Sequence, residues 1–163
     1  MKSKRVWLLS GLPGSGKSTW VSKKIAELEP GTAVVVSRDI IRFGLLKDGE
    51  DYFSKEDEVW NLFIKATIAA IKNPCITDIF IDATHLNDKS RKKTLRPLPL
   101  ENVEVINVVF DVPLNVCFER NAQRTGRAYV PEKVIRSMAE TFSLPNIHKS
   151  IFVDKEGGIR NEW

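Results

Sequence analysis

Cysteine is scarce in this 163-residue chain: Cys75 and Cys117 lie far apart without metal-ligand spacing, which excludes a cysteine metal cluster and reads as buried free thiols. Histidine is equally sparse, and His85 and His148 have no partners recognisable from sequence, so both read as structural or surface residues. Long hydrophobic runs are missing. The basic start MKSKRVWLLSG is apolar too briefly for a signal peptide or a membrane span before it turns into a glycine-rich stretch, so a soluble, cytoplasmic protein without membrane partners is expected. Repeats, low-complexity tracts and linkers are also lacking. Neither sign of charge dominates: 25 basic and 21 acidic side chains leave +4, compatible with a polyanionic partner without requiring one. What is present is 42% hydrophobic content, enough for one domain over 1–163 with a sizeable core.

The apolar segments alternate between two periods. Val6–Ser10 reads as a strand, followed by a glycine-rich loop and a helix to Leu28; Pro30-Gly31 breaks it, and Thr32–Ser37 is continuous and β-branched, as buried parallel strands are. A short helix is expected over Arg38–Leu46, and a long one to Ile71 capped by Ser54 with Asp57 three residues on. Ile76–Ala83 and Val103–Val112 read as strands around a basic helix Asp88–Arg96. Helices over Pro113–Asn121 and Pro131–Phe142 and a last strand Ser150–Val153 complete the series, with the tail from Asp154 ordered or loose. The alternation predicts an α/β fold, a parallel β-sheet sandwiched by helices.

Gly11 to Ser18 matches G-x-x-x-x-G-K-[ST] in full, between a predicted strand and a predicted helix. Such a loop wraps a phosphate in backbone N–H groups at a helix N-terminus. Gly14, Ser15, Gly16, Lys17, Ser18 and Thr19 are therefore the expected nucleotide-binding residues: Lys17 neutralises the β- and γ-phosphates of ATP, and Ser18 ligates Mg²⁺.

Further residues favour transfer over hydrolysis or switching. Asp39 follows the second strand at the carboxyl edge of the sheet, where a carboxylate takes the proton of an attacking hydroxyl. Arg42, three residues on, holds either a phosphate of the acceptor or the carboxylate itself. Asp82 ends an apolar strand, the place for an acid that assists Mg²⁺ through its water shell. Arg120, Arg124 and Arg127 lie on a polar connection between helices, about 121–131, that reads as a lid over the triphosphate. The basic set Arg91, Lys92, Lys93 and Arg96 is available to a nucleic-acid backbone or to solvent.

Together, GLPGSGKSTW, the S-R-D-x-x-R set at Ser37–Arg42, IDATHLN at Ile81–Asn87, FDVP at Phe110–Pro113, R-N-x-x-R from Arg120 and the V-P-x-x-V-I-R-S-M stretch at Val130–Met138 resemble the phage-type polynucleotide 5′-hydroxyl kinases. The resemblance runs to about Leu144. It implies a P-loop kinase domain with an arginine-bearing lid, Asp39 as general base, Arg42 on the acceptor's phosphate, Arg124 on the donor, and a DNA or RNA 5′-hydroxyl end as acceptor. The phage enzyme's phosphatase motif is missing, so 3′-phosphatase activity is not expected. The lid also departs from the phage pattern around Thr125-Gly126-Arg127.

Two other readings fit the same residues. One is a kinase of a small hydroxyl acceptor such as a nucleoside, modified nucleotide, sugar or antibiotic; the other is a nucleotide-dependent binding or switch module, against which Asp39 argues. The residues near Asn146–Val153 do not separate ATP from GTP.

Overall fold

Alternating strands and amphipathic helices need two apolar layers to bury both faces of a central sheet. The computed structural model, which describes residues 3–145 and 150–162, has this arrangement. In chain order the elements are β1 (Lys4–Ser10), α1 (Lys17–Ala26), β2 (Ala33–Ser37), α2 (Arg38–Leu45), α3 (Glu56–Lys72), β3 (Asp78–Asp82) and α4 (Asp88–Leu95). They continue as β4 (Val103–Phe110), α5 (Leu114–Ala122), α6 (Glu132–Thr141), β5 (Ser150–Val153) and β6 (Ile159–Glu162), with a 3₁₀ turn at Gly126–Ala128.

The six strands lie in the order β2-β3-β1-β4-β5-β6. The first five pair in parallel and β6 joins β5 antiparallel, so the expected parallel sheet carries one reversed edge strand built from the tail. On one face Trp7, Leu9, Phe80, Ile106 and Val108 pack against Trp20 and Val21 of α1. On the other, Val6, Leu8, Ile79 and Ile81 meet Phe63 and Ile71 of α3. The split follows the period of two along each strand. Trp7 stacks on Phe80 at 5.5 Å, and Trp20 meets Phe80 and Phe110 edge-on. Each such buried side chain contributes about 1.5–3 kcal/mol. No described helix is long and apolar enough to cross a membrane.

Register sets the position of the site. Leu9 of β1 and Ser37 of β2 both pair with Asp82 of β3, so the glycine loop after β1, Asp82 and the start of α2 share one sheet edge. The Gly11 N–H donates to the Thr84 carbonyl at 2.9 Å, tying the loop to the segment after β3. Ser37 caps α2 by accepting from the Ile40 N–H at 3.2 Å, which fixes Asp39 in the first turn.

Three local expectations are corrected. Ser54 does not cap α3: its hydroxyl donates to the Asp51 carbonyl, and the helix begins at Glu56 with three acidic residues in its first turn. Cys75 is exposed, and of the two thiols only Cys117 is buried. Arg91 is not a surface cation: it is fully buried, donating to Ser10 Oγ, Asp88 Oδ1 and the Ser143 carbonyl, because its helix turns that face onto the sheet. His148 and the rest of 146–149 lie outside the described residues.

Candidate phosphoryl-transfer site

The glycine loop is shaped by its neighbours. Gly14 and Gly16 have φ of 82° and 95°, in the left-handed region that side chains disfavour. A Cβ on Gly14 would also lie 2.6 Å from the Cys117 carbonyl oxygen, so glycine is required there twice over. Gly16 occupies the N-cap of α1 and brings no capping side chain, leaving the first-turn N–H groups open to an anion. Within this cradle the buried Ser15 Oγ has no hydrogen-bond partner. A buried orphan hydroxyl is costly, and a phosphate oxygen in the cradle would satisfy it; the residues present fit a nucleotide triphosphate.

Lys17 Nζ donates to the Gly11 and Leu12 carbonyls at 2.8 and 3.2 Å, folded back over the loop. Burial lowers its pKa, opposed by the carboxylates of Asp82 and Asp39. Burial in turn raises the pKa of Asp82, opposed by Lys17. Lysine and carboxylate line the same two clefts, and each favours the charged form of the other. Among the described residues no group of three His, Cys, Asp or Glu side chains could hold a metal ion. A Mg²⁺ ion here would therefore rest on the Ser18 hydroxyl, the phosphates and water held by Asp82, a donor set of hard oxygens that fits it.

Two clefts meet at this point. One, of about 450 Å³, is lined by the glycine loop, Ser18, Asp39, Asp82 and Arg124. The other, of about 290 Å³, is lined by Arg38, Arg42, Tyr52, Phe53, Glu56 and Met138. Pro13, Lys17, Asp39 and Asp82 line both. Asp39 therefore stands where the glycine-loop cleft, into which phosphates would fit, meets the second cleft.

The second cleft is organised by a network that sequence reasoning did not find. Arg42 is buried, and its guanidinium forks onto Glu56: Nε donates to Oε1 at 2.6 Å and Nη2 to Oε2 at 3.0 Å. Its Nη1 donates to Asp39 Oδ1 and, at 2.9 Å, to the Tyr52 hydroxyl. Tyr52 donates its own proton to Asp39 Oδ1 at 2.8 Å, and its pKa is raised by burial and by the Asp39 charge. Arg38 joins through Glu56 Oε2 at 2.9 Å. Of the two roles open to Arg42, the structure shows the carboxylate-holding one. Glu56 and Tyr52 gave no sequence signal because their partners lie on α2, ten or more residues earlier in the chain.

The lid arginines separate. Arg124 lines the phosphate cleft. Arg120 instead reaches the Gly14 carbonyl at 3.4 Å and the Lys155 carbonyl, lining a third cleft of about 340 Å³ with Ser15, Gly16, Thr19 and the β5–β6 turn. The Arg127 side chain lies outside the described residues. Buried Asn121 pins the base of the lid, donating to the Val130 carbonyl at 2.7 Å and accepting from its N–H at 3.0 Å. His85 is structural: Nδ1 contacts the Leu9 carbonyl at 2.6 Å and Nε2 the Thr94 hydroxyl at 3.0 Å.

Residues 6–145, most of the chain, match the family model described as AAA domain. The chain belongs to this family. It is 25% identical, over 88% of its length, to the "Putative bifunctional polynucleotide kinase/RNA ligase" of Autographa californica nuclear polyhedrosis virus. It is 34% identical, over 76% of its length, to an adenylyl-sulfate kinase of Lactiplantibacillus plantarum. Among solved structures, a chain of the Pnkp1/Rnl/Hen1 RNA repair complex superposes on 86% of this chain with a TM-score of 0.71 at 26% identity, matching over 44% of its own length. The chain spans 22% of the viral relative and 58% of the bacterial one. The kinship with polynucleotide kinases expected from the motifs is thus present at low identity, and the fold is that of P-loop kinases with kinase relatives of both polymeric and small acceptors.

Proposed function

We propose that the protein is an ATP-dependent kinase that transfers the γ-phosphate to a 5′-hydroxyl end of DNA or RNA. The observation that carries the reading is the shared wall: Asp39 and Lys17 line both the phosphate cleft and the second cleft, as in-line transfer between two substrates requires. The acceptor hydroxyl oxygen bonds to the γ-phosphorus, its proton passes to Asp39, and the bond to the β-phosphate breaks to release ADP. Arg42 and Tyr52 occupy Asp39 Oδ1, which reserves Oδ2 for the acceptor proton. Lys17 and Arg124 offset the charge on the transferring group, with 121–131 acting as the lid of a single kinase unit. Mg²⁺, held at Ser18 and through water at Asp82, would supply further charge neutralisation.

A nucleic-acid acceptor is supported by the motif set and by the viral and RNA-repair relatives. The adenylyl-sulfate kinase relative favours a second reading, a small hydroxyl acceptor in the same cleft. The test is transfer from γ-labelled ATP with Mg²⁺ to matched 5′-hydroxyl and 5′-phosphate oligonucleotides, with Lys17→Ala and Asp39→Asn alongside. Label on 5′-hydroxyl ends only, lost in both variants, is expected. ATP binding without label on any oligonucleotide sinks the end-kinase reading and turns the search to small acceptors.

A further inference from the structure

We propose that Phe53 is the platform on which the terminal nucleobase of the acceptor stacks, so that the second cleft selects a base-bearing nucleotide end. The inference rests on the end-kinase reading and deepens it. Phe53 lines the second cleft, yet 47% of its surface remains exposed. A large aromatic left open at a cleft lip offers a face to a planar ligand.

Its position beside the reacting groups is fixed. The ring meets Tyr52 edge-on at 4.6 Å, and the Tyr52 hydroxyl holds Asp39. The Arg42 guanidinium lies 4.4 Å from the Tyr52 ring and 6.0 Å from Phe53, which anchors the aromatic pair from below. A base resting on Phe53 would carry its sugar toward Asp39.

The charge of the cleft is balanced, which leaves the aromatic face as its distinguishing feature. Arg38 and Arg42 are both committed to Glu56, and Arg42 to Asp39 as well; with Lys17 and Asp82, three cations face three carboxylates. A phosphate or sulfate group, on a small acceptor or on the 3′ side of an oligonucleotide end, would have to compete with these pairs for the guanidiniums. A nucleoside end needs an aromatic face and a proton acceptor, and the cleft holds both. Stacking tolerates any base, because every base has a π-face.

The test is steady-state kinetics of wild type, Phe53→Ala, Phe53→Leu and Phe53→Trp on paired 5′-hydroxyl oligonucleotides. The pair differs only in whether the terminal nucleotide carries a base or an abasic tetrahydrofuran. Expected is a rise in KM for the base-bearing end of about 10-fold or more in the alanine and leucine variants. KM for the abasic end should be unchanged by either, and tryptophan should restore the base-bearing value. The leucine variant keeps apolar packing on Tyr52, so it carries the comparison should alanine unfold. Equal losses on both acceptors would make Phe53 a support for Tyr52 and overturn the platform, as would no loss on either. Wild type that labels both ends equally well sinks the platform alone; wild type that labels neither removes the end-kinase reading and the platform together.

Discussion

Tyr52 and Arg42 converge on one carboxylate oxygen: the tyrosine hydroxyl donates to Asp39 Oδ1 at 2.8 Å, and Arg42 Nη1 donates to the same atom. Two donors on one oxygen restrain the carboxylate and leave its other oxygen free for the proposed acceptor. Replacing Asp39 by asparagine removes the proposed base and should lower kcat by about 10²–10⁴-fold. Tyr52→Phe keeps the carboxylate and loses one orienting bond, so kcat should fall about 3–10-fold with KM for ATP unchanged. Single-turnover transfer rates for the two variants check the order; equal losses would mean that Tyr52 does more than orient.

Glu56 is the counterpart of this arrangement on the buried side. It takes both ends of the Arg42 fork and one bond from Arg38, and these bonds pull its pKa down against the effect of burial. Glu56→Gln takes one of two carboxylates from the buried Arg42 guanidinium and leaves Asp39 as its countercharge. A cost of about 2 kcal/mol is expected, below the range for fully buried pairs because Glu56 is partly open to solvent. Urea denaturation measures it, and a change below about 0.5 kcal/mol would show that water replaces the carboxylate.

The parts of this site that were readable in sequence are those with local causes. The glycine loop needs positive φ at Gly14 and Gly16 and an open helix N-terminus, and those needs leave a contiguous motif. Asp39 was readable because a polar residue after a buried strand lands at the sheet edge. Glu56 and Tyr52 were not, because Glu56 looks like any first-turn acid and its partners Arg38 and Arg42 lie on α2. The misreading of Arg91 has the same origin: a basic helix looks solvated until the face that packs on Ser10 and Ser143 is known. The tail gave no strand signal because β6 is a short edge strand whose register comes from β5.

Ser15 offers a test with opposite signs in the two states. Its buried hydroxyl has no partner in the free protein, so Ser15→Ala should leave the Tm unchanged or slightly raised. If the hydroxyl meets a phosphate, the variant should bind ATP about 5–10-fold more weakly and show a smaller ATP-induced Tm shift. An unchanged ATP shift would remove Ser15 from the phosphate site.

His85 links stability to pH. Burial lowers its pKa from 6.5 to about 4, and both ring nitrogens are engaged, by the Leu9 carbonyl and the Thr94 hydroxyl. The unfolded chain therefore takes up a proton near pH 6.5 that the folded chain refuses until about pH 4. This contribution is complete above pH 6.5 and is lost as pH falls toward 4, by up to on the order of 3 kcal/mol. His85→Gln should be less stable at neutral pH through lost contacts, yet flatter across that window. Urea midpoints for both proteins from pH 7.5 to 4.5 read the difference, and parallel curves would show that His85 does not titrate on unfolding.

The basic helix α4 contains two kinds of cation, and they should fail in different assays. Lys93 is exposed, with its ammonium 4.5 Å from the Trp60 ring, and Arg38 at the cleft lip lies 5.4 Å from the same ring. Cation and aromatic thus continue outward from the second cleft, as the path proposed for a single-stranded backbone would. Lys92→Ala with Lys93→Ala should leave stability and ATP binding intact and reduce the slope of log affinity against log salt for a 5′-hydroxyl oligonucleotide by about 1–2. Arg91→Met, one residue earlier, should instead lower stability, because Asp88 and the Ser143 carbonyl lose their donor. A salt slope unchanged in the double lysine variant would place the nucleic acid on another face of the domain, whatever the stability of the arginine variant.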